Sequence, residues 1–150
     1  MQGLSFSEFE ETRHGVFHCK VWGQNIPTNF IDALLVQADK NPNRKARLCL
    51  HPTPDDVTQV TFLALVAPYA DKLHMHPNRP EIMFPLRGQA TIDIYDTRES
   101  KPRRLSLDAD LPLPISIDSG KLHSLEVVSN YFVFMEVGNG PFTQESTIYI

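Results

Sequence analysis

The spacing of apolar residues changes once along the chain, from a helical period to an alternating one. In residues 29–40 the apolar side chains recur at the spacing of one face of an α-helix. Thr28 precedes this segment and is a suitable N-cap, and Asn41-Pro42 follows it and would end the helix. We therefore predict one helix at 29–40, near the N-terminus.

Beyond this helix the period becomes two, as in half-buried strands. A short strand is also expected before the helix. The predicted strands are 15–22, 47–51, 57–67, 81–86, 90–95, 105–107, 115–117, 122–128 and 131–137. Turns are predicted between them at Arg87-Gly88, 96–101, Ser119-Gly120 and Ser129-Asn130. Many short strands separated by frequent turns are typical of an all-β sandwich or barrel, and the 12 prolines argue against long helices.

Composition and charge narrow the function classes. The 150 residues suffice for one domain, with 41% hydrophobic and 21% charged residues, as in ordinary globular proteins. A net charge of −4 provides no basic surface, so nucleic acid and anionic membranes are not expected as partners. No apolar run is long enough for a spanning helix, and the acidic start is unlike a secretory signal. We expect a cytoplasmic protein in which Cys19 and Cys49 are reduced.

The candidate chemistry lies in His74, His76 and Glu81, followed by Gly88 and much later by His123. Residues two apart on a strand share a face, so His74 and His76 point to the same side. If the next strand pairs antiparallel with theirs, Glu81 returns beside the two imidazoles. Gly88 would permit a tight turn at the far end of that hairpin, and His123 would complete the set from the facing wall.

Three neutral imidazoles and one carboxylate suit a divalent transition metal and leave coordination positions open. This donor set accepts iron, manganese, nickel, cobalt or zinc, so the sequence predicts one metal ion without naming it. No other cofactor is expected.

These residues resemble the first motif of the cupins, Gly-x5-His-x-His-x3–4-Glu-x6-Gly. The sequence matches it from His74 through Glu81 to Gly88, with Pro68 in place of the leading glycine. The resemblance implies an all-β, cupin-type jelly-roll β-barrel (a double-stranded β-helix), here with one N-terminal helix.

The second cupin motif, Gly-x5-Pro-x-Gly-x2-His-x3-Asn, is matched at Gly120 and His123. Its first glycine, its proline and its asparagine are replaced by Pro112, Asp118 and Val127. Within the cupins, the chain resembles the WbuC-type cupin fold metalloproteins over roughly residues 30–142. The supporting segments are Asn41-Pro42-Asn43-Arg44, Arg47-Leu48-Cys49-Leu50-His51, His76-Pro77, Leu86-Arg87-Gly88 and Gly140-Pro141-Phe142. In that family a β-branched residue is usual where this chain has Pro85, which predicts an edge or bulge there.

The resemblance implies a metal-binding protein often encoded among genes for surface-polysaccharide synthesis, and small cupins commonly form homodimers. It divides the chain into residues 1–27, an N-terminal extension with a short strand, and residues 28–150, the cupin domain with its leading helix.

Three further residues are candidates for a substrate pocket. Arg47 and His51 share a strand face with Cys49, and that face either lines the barrel mouth or forms a polar outer surface. Met83 follows Glu81 by two and should face inward. Glu136, in an apolar strand, is either solvated or in the pocket with a raised pKa.

Other polar residues are expected to have no role in the site. Cys49 is interpreted as packing filler, and His14 and His18 as surface residues.

Two function classes remain open. One is a metal-dependent enzyme, such as an isomerase, an epimerase or an oxygenase, which acts on an anionic, sugar-derived or nucleotide-sugar substrate. The other is a non-catalytic small-molecule-binding or sensor cupin with the same metal site. No general acid or base is identified from the sequence.

Overall fold

The computed structural model describes residues 6–150, in which one helix precedes most of the strands. The elements are β1 (Glu10–Arg13), β2 (Val16–His18), α1 (Phe30–Lys40), β3 (Lys45–Cys49), β4 (Thr58–Val66), β5 (His74–Met75), β6 (Glu81–Tyr95), β7 (Arg103–Asp108), β8 (Ile115–Ile117), β9 (Leu122–Asn139) and β10 (Ile148–Tyr149). The prediction of a mostly β chain with a single helix is confirmed for these residues.

The helix begins one residue later than predicted and is capped differently. Its N-cap is Asn29, which makes no side-chain cap hydrogen bond, so Thr28 as the cap was wrong. The Phe30 amide donates instead to the carbonyl of Pro27, at 3.0 Å. Asn41 ends the helix as predicted, with an extended backbone. No helix within residues 6–150 has the length and apolar character needed to cross a membrane.

The strands form one folded ladder with the order β1-β2-β3-β4-β9-β5-β10. Strand β9 also pairs with β6, and β6 in turn pairs with β7 and β8. All of these pairs are antiparallel except β2 with β3. Over the described residues the ladder folds back on itself as a jelly roll without closing into a complete ring.

The long strands β6 and β9 correct two predicted turns. Both predicted turns lie within continuous strands, Arg87-Gly88 inside β6 and Ser129-Asn130 inside β9. The pairing of β6 with β9 shifts register between Pro85 and Arg87 and between Gly88 and Ala90, which marks bulges. Gly88 has φ +80°, a conformation common to turns and bulges, and this is why the sequence suggested a turn. The bulge predicted at Pro85 is confirmed.

The bulges change which side chains face inward. Before them the inward residues of β6 are Glu81 and Met83, and after them they are Ala90, Ile92 and Ile94. Because β6 and β9 are antiparallel, the first half of β6 pairs with the second half of β9 and its second half with the first half of β9. Both strands therefore contribute to both ends of the interior.

Two apolar cores lie on opposite faces of the sheet formed by β2, β3, β4 and β9. The inner core includes Leu63, Leu65, Phe132 and Phe134 from this sheet and the inward residues of β6, β7 and β8. The outer core packs α1 against the other face. Its buried members are Phe9, Phe17, Cys19, Leu34, Ala38, Ala46, Leu48, Ala64 and Val133. Strand alternation thus sends one set of side chains to the helix and the other to the interior.

The strand predicted at 15–22 is much shorter in the structure. It spans Val16–His18, and β1, which was not predicted, pairs with it as a hairpin. Gly15, with φ +76°, lies in the connecting turn. Beyond His18 the chain continues in turns toward Trp22, which is exposed. The first residues of the predicted extension, 1–5, lie outside the described residues.

Candidate metal centre and its cavity

Three histidines meet at one end of the interior. His74 on β5 is directly opposite His123 on β9, and His76 lies just beyond β5. The ring centroids of His74 and His123 are 4.4 Å apart, those of His74 and His76 are 5.2 Å apart, and those of His76 and His123 are 5.5 Å apart. One ring nitrogen of each residue lies within 4.8 Å of the other two, which is close enough for one ion to reach all three.

Glu81 joins the histidines from the first position of β6. Its Oε1 atom is 3.0 Å from Nε2 of His76, and its Oε2 atom is 3.5 Å from Nε2 of His123. The predicted hairpin between the two strands was wrong, because β5 pairs with β9 and β10 whereas β6 pairs with β7, β8 and β9. Glu81 lies between Ile117 of β8 and Gly138 of β9, and its side chain reaches His76 and His123 through the interior rather than along a shared ladder.

Backbone carbonyls fix the orientation of all three rings. The Nδ1 atoms of His74, His76 and His123 lie 2.7, 2.9 and 2.9 Å from the carbonyl oxygens of Lys72, Ser146 and Lys121 respectively. A carbonyl only accepts hydrogen bonds, so each Nδ1 carries the proton and each Nε2 is left for another partner. Metal-binding histidines are usually held in this way.

One polar atom at the centre of this group makes no hydrogen bond of good geometry within residues 6–150. Nε2 of His123 is buried, the residue is 2% exposed, and Oε2 of Glu81 approaches this atom only to 3.5 Å. Burying an unpaired polar atom costs about 1–3 kcal/mol, and a cation at the centre would remove that cost. The donor set of three imidazoles and one carboxylate therefore fits a divalent transition metal.

The charges of the group are strongly linked. Burial opposes ionisation of Glu81, but its interactions with the nearby His123 and His76 side chains outweigh burial and lower its pKa. Burial likewise opposes protonation of His76, yet Glu81 outweighs it and raises the pKa of His76. The pKa of His74 is lowered, mainly by burial and to a smaller extent by the neighbouring His123. Glu81 is therefore a carboxylate that is ready to bind a cation.

The histidines and Glu81 line a cavity of about 150 Å³ between the walls of the jelly roll. Arg47, His51 and Met83, the candidate pocket residues, all line it as well. The face of β3 that carries Arg47 thus points inward rather than forming a polar outer surface. Met83 is 5% exposed and lies two residues along β6 from Glu81.

Glu136 also lines the cavity, which decides between the two interpretations of this residue. Its side chain is 17% exposed. The pKa of Glu136 is raised to about 7, mainly by burial and next by repulsion from Glu81. Attraction to Arg79 offsets part of this increase. The carboxyl group can therefore take up or release a proton near neutral pH.

The residue that sequence reasoning missed is Arg79, which is 7% exposed. Its Nη2 atom lies 3.5 Å from Oε1 of Glu136, and its Nε atom lies 3.8 Å from Oε1 of Glu81. The Nη1 atom donates hydrogen bonds to Oε1 of Gln59 at 2.7 Å and to the carbonyl of Asn139 at 2.9 Å. Arg79 thus connects the proposed metal ligand Glu81 with the cavity acid Glu136.

One signal for Arg79 is a glycine distant from it in the sequence. Gly138 lies opposite Glu81, and a Cβ atom placed there would approach the Arg79 guanidinium to 2.6 Å. The glycine therefore provides the space that the guanidinium occupies. The signal is visible only after β6 and β9 are aligned, since 59 positions separate the two residues.

His18 is not the surface residue that was predicted. It is 4% exposed and lines the cavity, whereas His14 is exposed as expected. Cys49 is buried as expected, and burial raises the pKa of its thiol to about 11. Burial, followed by the neighbouring His18, lowers the pKa of His51 to about 4, so that this imidazole is neutral at pH 7.

Comparison with protein families gives one match, to the model described as a domain of unknown function (DUF6016), over residues 26–107. The match covers more than half of the chain. The chain belongs to the DUF6016 family. No curated protein is significantly similar to it in sequence.

Solved structures similar to this DUF6016 protein include CapF from Staphylococcus aureus, a capsular polysaccharide assembling protein, with TM-score 0.65 and 18% identity. CapF with the inhibitor 3-isopropenyl-tropolone has TM-score 0.64 and 18% identity. Both alignments cover 74% of this chain and 33% of the other. Oxalate decarboxylase from Bacillus subtilis has TM-score 0.58 and 18% identity, over 71% of this chain and 27% of the other.

These neighbours are cupins, and the predicted cupin jelly-roll fold is therefore confirmed. The chain spans about a third of the length of CapF. At this level of identity the likeness extends to the fold alone.

Proposed function

We propose that this protein binds one divalent transition metal ion through His74, His76, Glu81 and His123. The observation that carries the proposal is the convergence of three imidazoles whose Nδ1 atoms face backbone carbonyls and whose Nε2 atoms remain for the ion. The unpaired, buried Nε2 of His123 supports it further. Four protein ligands leave positions at which a small molecule can bind the same ion.

The ligand that fits this site is a small anion with oxygen atoms on two adjacent carbon atoms. Three imidazoles and one carboxylate leave a divalent ion with net positive charge, and Arg47 and Lys45 add positive charge to the lining. A cavity of about 150 Å³ is small beside the roughly 300–1,000 Å³ typical of ligand pockets. We therefore favour a small hydroxy or keto acid, such as a sugar-derived acid, over an entire nucleotide sugar.

The structural neighbours provide suitable probes for this ligand class. Oxalate offers two adjacent carboxylate oxygens, and a tropolone offers a carbonyl next to a hydroxyl. Oxalate decarboxylase acts on the first, and CapF binds an inhibitor of the second kind. Both compounds would chelate a metal through adjacent oxygens.

Glu136 favours an enzyme over a sensor. The bound metal would act as a Lewis acid on a carbonyl group. Glu136 lines the same cavity, and its pKa of about 7 suits a group that accepts a proton at neutral pH and returns it. Proton movement next to a carbonyl is the chemistry of isomerases and epimerases, which is the reaction class that we propose.

Elemental analysis of protein purified without added metal or chelator tests the metal site. We expect about one transition metal ion bound by the proposed residues per chain, and its loss in His74→Ala. His14→Ala is the matched control, because His14 is exposed and belongs to neither group of metal-binding side chains. Equal metal content in the two variants would contradict the proposed site.

Calorimetry then separates the enzyme from the binding protein. We expect oxalate and 3-isopropenyl-tropolone to bind the metal-loaded protein and not the metal-free protein. A panel of sugar acids would be incubated with wild type and with Glu136→Gln. Metal-dependent isomerisation that is lost in Glu136→Gln would support the enzyme, whereas binding without any product would support a sensor.

Four further expectations belong to this proposal. They are membership of the WbuC-type group with a role in surface-polysaccharide synthesis, a cytoplasmic location, a homodimer, and the division of the chain into residues 1–27 and 28–150. Light scattering of the purified protein would test the dimer, and a truncation beginning at residue 28 would test the division.

A further inference from the structure

A second group of metal-binding side chains lines the same cavity. His18, Cys49 and His51 are 4%, 5% and 3% exposed, and none of them belongs to the proposed metal centre. One donor atom from each lies within 4.8 Å of the other two. Burial of three such groups together is unusual for side chains that serve only as packing.

The fold brings the three residues together through strand pairing. His18 on β2 is directly opposite Cys49 on β3 in the parallel pair. His51 follows Cys49 by two positions, and both residues line the cavity. The alternate residues Phe17 and Leu48 face the helix and belong to the outer core. The sheet thus presents all three donors on one face, next to one another.

The backbone also orients the two imidazoles. Nδ1 of His18 lies 2.9 Å from the carbonyl oxygen of His51. Nδ1 of His51 lies 3.2 Å from both the amide and the carbonyl of Val60. In His18 the carbonyl holds the proton on Nδ1, which leaves Nε2 as the ligand atom. In His51 the same holds for the tautomer in which Nδ1 donates to the carbonyl of Val60 instead of accepting from its amide.

The thiol has a partner that suits a metal-bound sulfur. The hydroxyl of Thr61 lies 3.7 Å from Sγ of Cys49 and can donate a hydrogen bond to it. A donor at this position would stabilise the negative charge of a thiolate bound to a metal.

We propose that His18, Cys49 and His51 form a second metal site, which takes a thiophilic divalent ion such as zinc. Two imidazoles and one thiolate are typical zinc ligands, whereas the three imidazoles and one carboxylate of the first centre carry no sulfur. Tetrahedral zinc places its donor atoms about 3.5 Å apart, so small side-chain rotations close the site. The three side chains line the cavity, which would give an ion and a water molecule access to them.

Cobalt(II) reports directly on this site, because a thiolate bound to it gives an intense charge-transfer absorption in the near ultraviolet. We would titrate Co²⁺ into metal-free wild type, Cys49→Ala and Cys19→Ala. The chain has two cysteines, so in Cys19→Ala the thiol that remains is Cys49. We expect the absorption in wild type and Cys19→Ala and its loss in Cys49→Ala.

Zinc analysis provides the stoichiometry, with about two ions per chain in wild type and about one in Cys49→Ala. His18→Ala should weaken cobalt binding at the thiolate site by about tenfold or more. If Cys49→Ala does not fold, the absorption in Cys19→Ala still decides the question. Absence of the absorption from wild type, or its loss in Cys19→Ala with retention in Cys49→Ala, would overturn the proposal.

The experiment tests the two proposed metal sites independently. His74→Ala should lose one bound ion and keep the thiolate absorption. If His74→Ala leaves metal content unchanged while the absorption is present, the first centre is refuted and the second stands. The reverse result refutes the second centre alone.

Discussion

Replacing Arg79 with methionine should destabilise the metal-free protein substantially. Methionine retains much of the apolar stem but leaves Glu81 and Glu136 without their shared cation. Removing one partner of a buried ion pair costs about 3–5 kcal/mol, and we expect Arg79→Met to fall in this range. Two hydrogen bonds, to Gln59 and to the backbone of Asn139, are lost at the same time.

The matched control is Arg104→Met. Arg104 makes shorter contacts with Asp93, at 2.7 and 2.8 Å, but its side chain is 64% exposed. Exposed ion pairs contribute about 0–1 kcal/mol because water screens them. If burial rather than distance determines the effect, Arg79→Met must cost several times more than Arg104→Met.

Urea unfolding of both variants, measured at pH 5 and pH 8 without metal, provides the assay. Loss of Arg79 removes an interaction that lowers the pKa of Glu136, so that pKa rises further. A raised pKa in the folded state favours the protonated form, and stability is lost as pH increases through it. The cost of Arg79→Met should therefore be larger at pH 8 than at pH 5.

A double-mutant cycle identifies the partner. In the Arg79→Met background, Glu136→Gln removes the unpaired carboxylate and should restore about 1–3 kcal/mol at pH 8 relative to additivity. A cost below about 1 kcal/mol, no dependence on pH, or strictly additive effects would refute the reasoning that Arg79 balances buried charge in the cavity.

Three further predictions concern the bulge, the cavity acid and the metal. Gly88→Ala should lower the free energy of unfolding by about 2–4 kcal/mol, because φ is +80° and the new Cβ would clash with the carbonyl oxygen of Tyr131. Gly23→Ala is the control, since Gly23 has a similar φ but open space around it. Equal losses of stability in urea unfolding of the two variants would refute the clash. In metal-free protein, the raised pKa of Glu136 provides stability below pH 4.5 that is lost as pH rises through about 7. Glu136→Gln should therefore be about 3 kcal/mol more stable than wild type at pH 8, and a difference that does not shrink toward pH 4 would contradict this. A transition metal at 100 times its dissociation constant should stabilise wild type by about 2.7 kcal/mol in thermal unfolding; a chelator should reverse the shift, and Glu81→Gln should reduce it.

Local features of the sequence were sufficient to predict the fold class and the bulge at Pro85. Hydrophobic periodicity reports which residues share a face, and this identified the single helix and the strands that carry Glu81 and His123, but not the short β5 that carries His74. Proline removes a backbone donor and restricts φ, so Pro85 predicted an edge or a bulge without any knowledge of the partner strand. The residue types and spacing of His74, His76 and Glu81 predicted a metal ligand set for the same local reason.

Strand pairing decided what the sequence misassigned. A glycine with positive φ serves a turn and a bulge equally well, and Gly88 could be assigned only after β6 was seen to continue along β9. His18 looked like a surface residue because its burial depends on β2 pairing with β3 and facing the cavity. The ion pairs of Arg79 join a loop to β6 and β9, far apart in sequence.

The division between the two kinds of information has a physical basis. Period and proline act through the backbone of neighbouring residues, so the sequence by itself determined the helix, most of the strands and the donor types at the predicted metal centre. Register, burial and charge balance act between residues distant in sequence. Only the tertiary structure decided that Glu81 lies beside His76 and His123, that Arg79 lies between Glu81 and Glu136, and that His18, Cys49 and His51 lie side by side.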